Sequence, residues 1–422
     1  MQSTQSQIGT EIKTYTEQLE SLYTTLPQTM VSLQRAQRTS NSDVEKYIAN
    51  YCTVVEENEN GKTISIKDGY HKGFRELKFQ NDNIRIARLL VPRGFIITMV
   101  SQYDAYLGKL LKEIYLNKPE IISNTAKNYN YSDIVRYQTI DEFKHFAVDK
   151  EIESIIRESH SKQFDIMQDK FGLKLRENLS AWSSFIEITE RRNLFVHADG
   201  VVSKQYISVC GDHKHDTSEV LEGQKLQVSH DYFKQSFQIM YEIGVKLGQV
   251  LWRKLFPSDI EEADENLISV TYDLIEREQY NLACNLLDMA LRDWDKKISN
   301  DLRKSVMIVN CAQSHKWAGR TDRCNEIMKK QDWSAKDVQF KLADSVLSEK
   351  WGLSKKFMMQ IGASGPVSKF NYRDWPLFKE FRETEEFQSS YFDIFQEKFG
   401  TEQSTEQFDD AQDDKLSEGE AE

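Results

Sequence analysis

Apolar residues recur along most of this chain at three- and four-residue steps, the spacing that lines one face of an α-helix. Ile12, Tyr15, Leu19, Leu22, Tyr23 and Leu26 form the first such stripe, which Pro27 is expected to end. The pattern then changes. Cys52-Thr53-Val54-Val55 and Thr63-Ile64-Ser65-Ile66 flank Asn60-Gly61, which reads as a β-hairpin. Helical spacing returns from Ile84, with Pro92 and Gly94 near its start. Phe95, Ile97, Val100, Tyr103, Leu107, Leu110, Leu111 and Ile114 carry it towards Pro119. Further helices are expected over 139–158, 161–171, 176–198 and 232–255, with strand or turn character between them at Val201, Val202, Tyr206, Ile207 and Val209.

These periods divide the chain into an N-terminal accessory region (1–88), a helical bundle (89–255), an acidic linker (256–265), paired helices (266–400) and a disordered acidic tail (401–422). The expected fold class is all-α with one small hairpin. Only 6 prolines and 18 glycines in 422 residues agree, since an all-β chain needs many more turn residues.

Charge changes the picture in one respect. The net charge is −12, and the tail holds nine acidic residues against one lysine, which is −8 of that total. The remainder is close to neutral and lacks the basic excess of a strong nucleic-acid binder, so any RNA contact depends on a local patch. Cys52, Cys210, Cys284, Cys311 and Cys324 are odd in number and scattered, as reduced thiols are. The opening stretch has no apolar signal core, and no window approaches the ~18 apolar residues of a membrane span. The expected location is the cytoplasm.

Candidate chemistry concentrates in Arg191-Arg192-Asn193-Leu194-Phe195-Val196-His197-Ala198-Asp199-Gly200, at the end of a helix that Gly200 is placed to cap. Arg192 carries a permanent charge, and His197 is the side chain type that exchanges a proton near neutrality. At 100° per residue the two lie roughly 140° apart around the helix and bracket Asn193 and Val196. An ion pair with Glu187, Glu190 or Asp199 is the alternative use of these side chains. Asp104, on the first helix of the expected bundle, is a further candidate contact whose placement the sequence does not establish.

Arg192-Asn193-x-x-x-His197 resembles the Arg-x4–6-His motif of the HEPN (higher eukaryote and prokaryote nucleotide-binding) domains. The resemblance extends from about Leu89 to Leu255, through the helix of Tyr103-Asp104-Ala105-Tyr106-Leu107 and the Gly200-Val201-Val202 exit. It implies an all-α bundle that forms a homodimer and cleaves RNA without metal or cofactor. His197 would take the proton of the ribose 2′-OH or return one to the leaving 5′-oxygen. Arg192 would hold the phosphate, and Asn193 would orient one or the other. One departure stands out: toxins paired with nucleotidyltransferases often carry tyrosine two positions after the histidine, where this chain has Asp199.

Arg191, Lys204, His213 and Lys214 are the candidate basic patch for RNA phosphate. Cys210, His213, His215 and His230 lack the paired spacing of a zinc site, and no metal is expected there. Beyond the linker, Leu274-x4-Gln279-Tyr280-x-x-Ala283-x-x-x-Leu287-x-x-Ala290-Leu291 resembles the core of a tetratricopeptide repeat, with glutamine replacing the usual glycine. Looser units follow around Asn310–Gly319 and Phe340–Leu347. The resemblance implies a protein or peptide partner for this half. The combined expectation is a ribonuclease toxin or phage-defence effector restrained through its repeats, or else a non-catalytic scaffold that dimerises or binds nucleotide or RNA.

Overall fold

The computed structural model describes residues 6–58, 61–123, 129–177 and 179–400; the acidic tail lies outside them. The fold is all-α, with a single two-stranded hairpin among the described residues. The chain divides into two compact units, Met1–Val270 with Lys297–Ser299 and Thr271–Lys296 with Asn300–Glu422.

The first unit is framed by two long helices, α1 (Ile8–Tyr51) and α2 (His71–Asn117), joined through β1 (Cys52–Asn58) and β2 (Gly61–Ile66). The strands pair antiparallel, Cys52 opposite Ile66 and Asn58 opposite Gly61. At 1.5 Å per residue each helix is roughly 65–70 Å long. They run antiparallel: Tyr47 Oη donates to the Tyr70 carbonyl (2.7 Å), Gln37 Nε2 to Asn81 Oδ1 (3.1 Å), and the Tyr15 ring stacks on Tyr106.

Both helices exceed their expected bounds. α1 continues through Pro27 and α2 through Pro92. An interior proline costs ~3 kcal/mol through its missing N–H and its clash with the preceding turn. Pairing along the two helices offsets that local preference, which periodicity alone does not reveal.

The N-terminal turns of α1 are core, not accessory. Ile8, Ile12, Tyr15 and Leu19 are buried in the first unit against α2 and α9 (His230–Leu255). Gly244 and Gly248 of α9 make that approach close. A Cβ at Gly244 would lie 2.1 Å from the Tyr15 ring, and one at Gly248 would lie 2.3 Å from Tyr106 Oη and 2.8 Å from Ile12. Tyr15 Oη donates to the Met240 carbonyl (2.8 Å) and Tyr106 Oη to the Gly244 carbonyl (3.0 Å).

Short helices α3 (Pro119–Ser123) and α4 (Tyr131–Ile134) lead to α5 (Ile140–Ile156), which Thr139 caps through a bond from the Glu142 N–H. Next come α6 (His160–Phe171), α7 (Trp182–His197) and α8 (Lys204–Asp212). The part from Lys204 onward of the segment expected as strand or turn is helix α8. Ser203 caps its start, Tyr206 and Cys210 bury one face, and only Val201 forms a bridge, to Lys225. Its β-branched residues mimicked alternation while the buried pair kept helical spacing.

The acidic linker is also structured. Pro257–Asp259 makes a 3₁₀ turn, and α10 (Ile260–Glu276) follows directly, so the boundary between units falls within a helix. Glu261 and Glu262 stand in its first turn, where the helix dipole favours negative charge. The second unit holds α11 (Tyr280–Asp293), α12 (Asp301–Trp317), α13 (Thr321–Lys329), α14 (Val338–Leu347), α15 (Trp351–Ile361), α16 (Lys369–Asp374) and α17 (Glu385–Phe395). Its core contains Ala283, Leu287, Ala290, Ala312, Cys324, Phe340, Ala343 and Leu347, the small and large residues expected to alternate between paired helices.

Gly248→Ala is expected to destabilise the first unit by about 1–3 kcal/mol through overpacking against Tyr106 and Ile12. Urea unfolding followed by circular dichroism checks this; an unchanged midpoint contradicts the close packing.

Candidate functional site at the end of helix α7

Helix α7 carries Arg191, Arg192, Asn193 and His197, and the first three engage different neighbours. Its end is fixed by backbone geometry: the Ala198 and Gly200 N–H groups donate to the Leu194 carbonyl, while Asp199 and Gly200 adopt positive φ of 49° and 79°. Gly200 therefore terminates the helix as expected. A Cβ there would stand 3.2 Å from the Leu226 carbonyl oxygen and from the Phe195 ring.

Arg192 faces α2 and α6. Its Nη2 donates to Asp104 Oδ2 at 2.8 Å, and the other oxygen of Asp104 meets His160 Nε2 at 2.9 Å. Arg192 and Asp104 side chains are about a fifth exposed and His160 is buried. Arg192 Nε is buried without a hydrogen-bond partner. An unmet donor of this kind costs roughly 1–3 kcal/mol.

Asn193 Nδ2 donates to Glu190 Oε1 (3.4 Å), not to His197. Burial raises the Glu190 carboxyl above its usual range against the opposing pull of His160, Asn193 and Arg192. His197, the last residue of α7, is exposed. It follows Glu190 and Asn193 along one row of the helix surface, about 7.5 Å further along the axis than Arg192 at the Cα positions. Arg192 and Asn193 are thus each engaged by a carboxylate, Asp104 and Glu190 respectively, and His197 is the exposed member of the three.

Asp199 does not add a free negative charge to this end. Arg93 of α2 donates to its Oδ1 (2.8 Å), and Lys225 pairs with its Oδ2. Lys225 first, then Arg93, hold the carboxyl below its usual range. Arg93 also lies 5.3 Å from the centre of the Phe195 ring and donates to the Leu226 carbonyl, tying α2 to the motif's exit.

The residues expected as a basic patch have different surroundings. Arg191 turns away from Arg192: its Nε donates to Glu187 Oε1 (2.6 Å), and its guanidinium lies 3.8 Å from the Tyr232 ring centre. Buried Glu187 also accepts from Tyr206 Oη (2.6 Å) and Tyr232 Oη (2.9 Å). Arg191 is therefore a structural ion-pair residue, because its charge compensates a carboxylate inside the bundle. His213 Nδ1 accepts from Trp182 Nε1 (3.2 Å), and burial lowers its affinity for a proton. Lys204 and Lys214 are exposed; Lys204 has Glu222 4.0 Å away.

Cys210, His213, His215 and His230 do not gather as ligands, and burial pushes the Cys210 thiol up to about 12. Among the described residues one group has metal-ligand composition, Asp288, Cys311 and His315 on α11 and α12. Its hydrogen bonds use the same atoms. Arg320 Nε donates to His315 Nδ1 (2.9 Å), leaving Nε2 to carry the proton given to Asp288 Oδ2 (3.0 Å). A metal on Nε2 would force a proton onto Nδ1, facing the Arg320 N–H. These residues fit a hydrogen-bonded cross-link between helices and do not fit a resident metal.

Sequence periodicity had no route to His160 or Arg93. Each meets the motif through a contact between separate helices, His160 by way of Asp104 and Arg93 by way of Asp199. No helix among the described residues is long and apolar enough to cross a membrane. Compared with family models, curated proteins and solved structures, the chain matches none.

Two outcomes follow from these environments. Arg191→Met is expected to cost about 3–5 kcal/mol by stranding Glu187, whereas Lys214→Ala leaves the urea midpoint unchanged. For Glu190, the raised folded pKa means its favourable contribution is complete below the unfolded value and lost as pH rises through the folded one. Glu190→Gln is therefore expected to gain stability relative to wild type at pH 7 compared with pH 4. Equal differences at both pH values in urea titrations contradict it.

Proposed function

We propose that the chain is a metal-independent endoribonuclease of the HEPN type, acting as a homodimer. The observation that carries this reading is that exposed His197 and the partly exposed Arg192 and Asn193 share the C-terminal end of one helix in an all-α unit. The 2′-oxygen attacks phosphorus, and the bond to the 5′-oxygen breaks. One imidazole removes the 2′ proton while a second protonates the leaving oxygen, giving a 2′,3′-cyclic phosphate and a 5′-hydroxyl. Arg192 stabilises the charge gathering on the phosphate. DNA lacks the attacking group.

A second copy would supply the second imidazole. Ile86, Leu89 and Leu90 are exposed on α2 seven, four and three residues before Arg93, on the face that reaches Asp199 and Phe195. Val196 and Val201 are exposed on either side of His197 and Asp199. This apolar surface supports an isologous contact near the motif. Lys204 and Lys214 are available for RNA phosphate.

In the second unit, the small and large core residues of α11–α15 support a tetratricopeptide-like array that docks a protein or peptide regulator. Control of that kind suits a toxin or phage-defence effector acting in the cytoplasm. The Asp104–Arg192 ion pair favours the competing reading, a scaffold that binds RNA or nucleotide without cleaving it, because the motif's cation is already neutralised.

Purified protein incubated with RNA in EDTA separates the two. The nuclease leaves cyclic-phosphate ends, spares DNA, and loses about 100-fold or more of its rate on His197→Ala or Arg192→Ala with folding retained. Cleavage that persists in both variants, or is absent from wild type, rejects the nuclease.

A further inference from the structure

Asp104 accepts two hydrogen bonds, and only one comes from the motif. Its Oδ2 takes Arg192 Nη2, and its Oδ1 faces His160 Nε2. An ionised carboxylate only accepts, so Nε2 must carry a proton. The ring is held independently of Asp104. His160 is the first residue of α6 behind the Ser159 cap, is 7% exposed, and lies against Tyr103 and edge-on to Phe185 at a 5.7 Å centroid distance. A fixed ring holds one carboxylate oxygen, and the other oxygen is thereby aimed at Arg192.

We propose that His160 is a positioning residue for Arg192, acting through Asp104 to hold the guanidinium at the mouth of the site. The chemical consequence rests on the ribonuclease reading; the structural link does not. Without the imidazole donor, Asp104 is free to turn about its terminal torsion. It can then offer both oxygens to Arg192 or swing towards water, and either change moves the cation from the place where a phosphate oxygen would meet it. His160 differs in role from His197: it is buried, it faces a carboxylate, and it need not exchange a proton during the reaction.

Glutamine places an N–H close to the position of histidine Nε2; leucine fills space but cannot donate; asparagine is polar and too short. The test compares wild type with His160→Gln, His160→Leu and His160→Asn in two measurements. Phenylglyoxal modification of Arg192, followed by peptide mass spectrometry, reads how firmly the guanidinium is held, whether or not RNA is cleaved. RNA cleavage in EDTA, with kcat and KM resolved across pH, reads the consequence.

The expected result is several-fold faster modification of Arg192 in the leucine and asparagine variants, with the glutamine variant near wild type. Their kcat/KM falls about 10- to 100-fold, the scale of a small misplacement of a catalytic group. The shape of the pH profile stays that of wild type, and glutamine restores the rate. The asparagine variant serves if the leucine variant does not fold. Equal modification in all four proteins overturns the proposal. So does a glutamine variant as impaired as leucine with a pH limb missing, which would make His160 a proton-transfer group. If wild type cleaves no RNA while the modification pattern holds, the nuclease reading fails and the positioning link stands.

Discussion

The first unit depends on how closely α1 and α2 approach α9. Gly244 and Gly248 remove the side chains that would otherwise hold the helices apart, and Tyr15, Tyr106 and Ile12 fill the space. Tyr15 and Tyr106 stack at 4.4 Å and each donates to a carbonyl of α9, so the contact is specific in register as well as apolar. Packing of this density tolerates little added volume. Because α2 is continuous from His71 to Asn117, fixing Tyr106 also fixes Asp104 two residues away and Arg93 three to four turns away. These two residues grip α7 on either side of His197, at Arg192 and at Asp199.

Electrostatics on α7 follows from this framework. Adjacent arginines 100° apart meet opposite surroundings. Arg191 enters a buried network of Glu187, Tyr206 and Tyr232, while Arg192 reaches a partly exposed carboxylate near the surface. The first arrangement is a fixed internal pair. The second leaves a cation paired at Nη2 with one buried donor unmet. The choice between a catalyst and a scaffold therefore turns on whether phosphate binding outweighs the Asp104 pair.

Much of the chain was legible from periodicity. The hairpin around residues 52–66, the helix over 139–158, the one that stops just before Gly200 and the helix over 232–255 all lie where local spacing and capping residues put them. Errors came where tertiary contact outweighed local preference. Pro27 and Pro92 lie within helices supported by a long partner. Val201–Val209 carried strand-like residues, yet Tyr206 and Cys210 demanded one buried helical face. The acidic run after Phe256 looked like a solvated linker and instead supplied favourable charge to the start of α10.

By itself the sequence determined the helical class, most element positions, and the placing of Arg192, Asn193 and His197 around one helix end, because these follow from contacts between residues a few positions apart. The tertiary structure alone decided that Arg191 pairs with a buried carboxylate and Arg192 with a partly exposed one, that Asp199 is neutralised, and that His160 stands behind Asp104. Those outcomes depend on which helices meet and in what register. Such meetings join residues separated by tens of positions, and no local period records them.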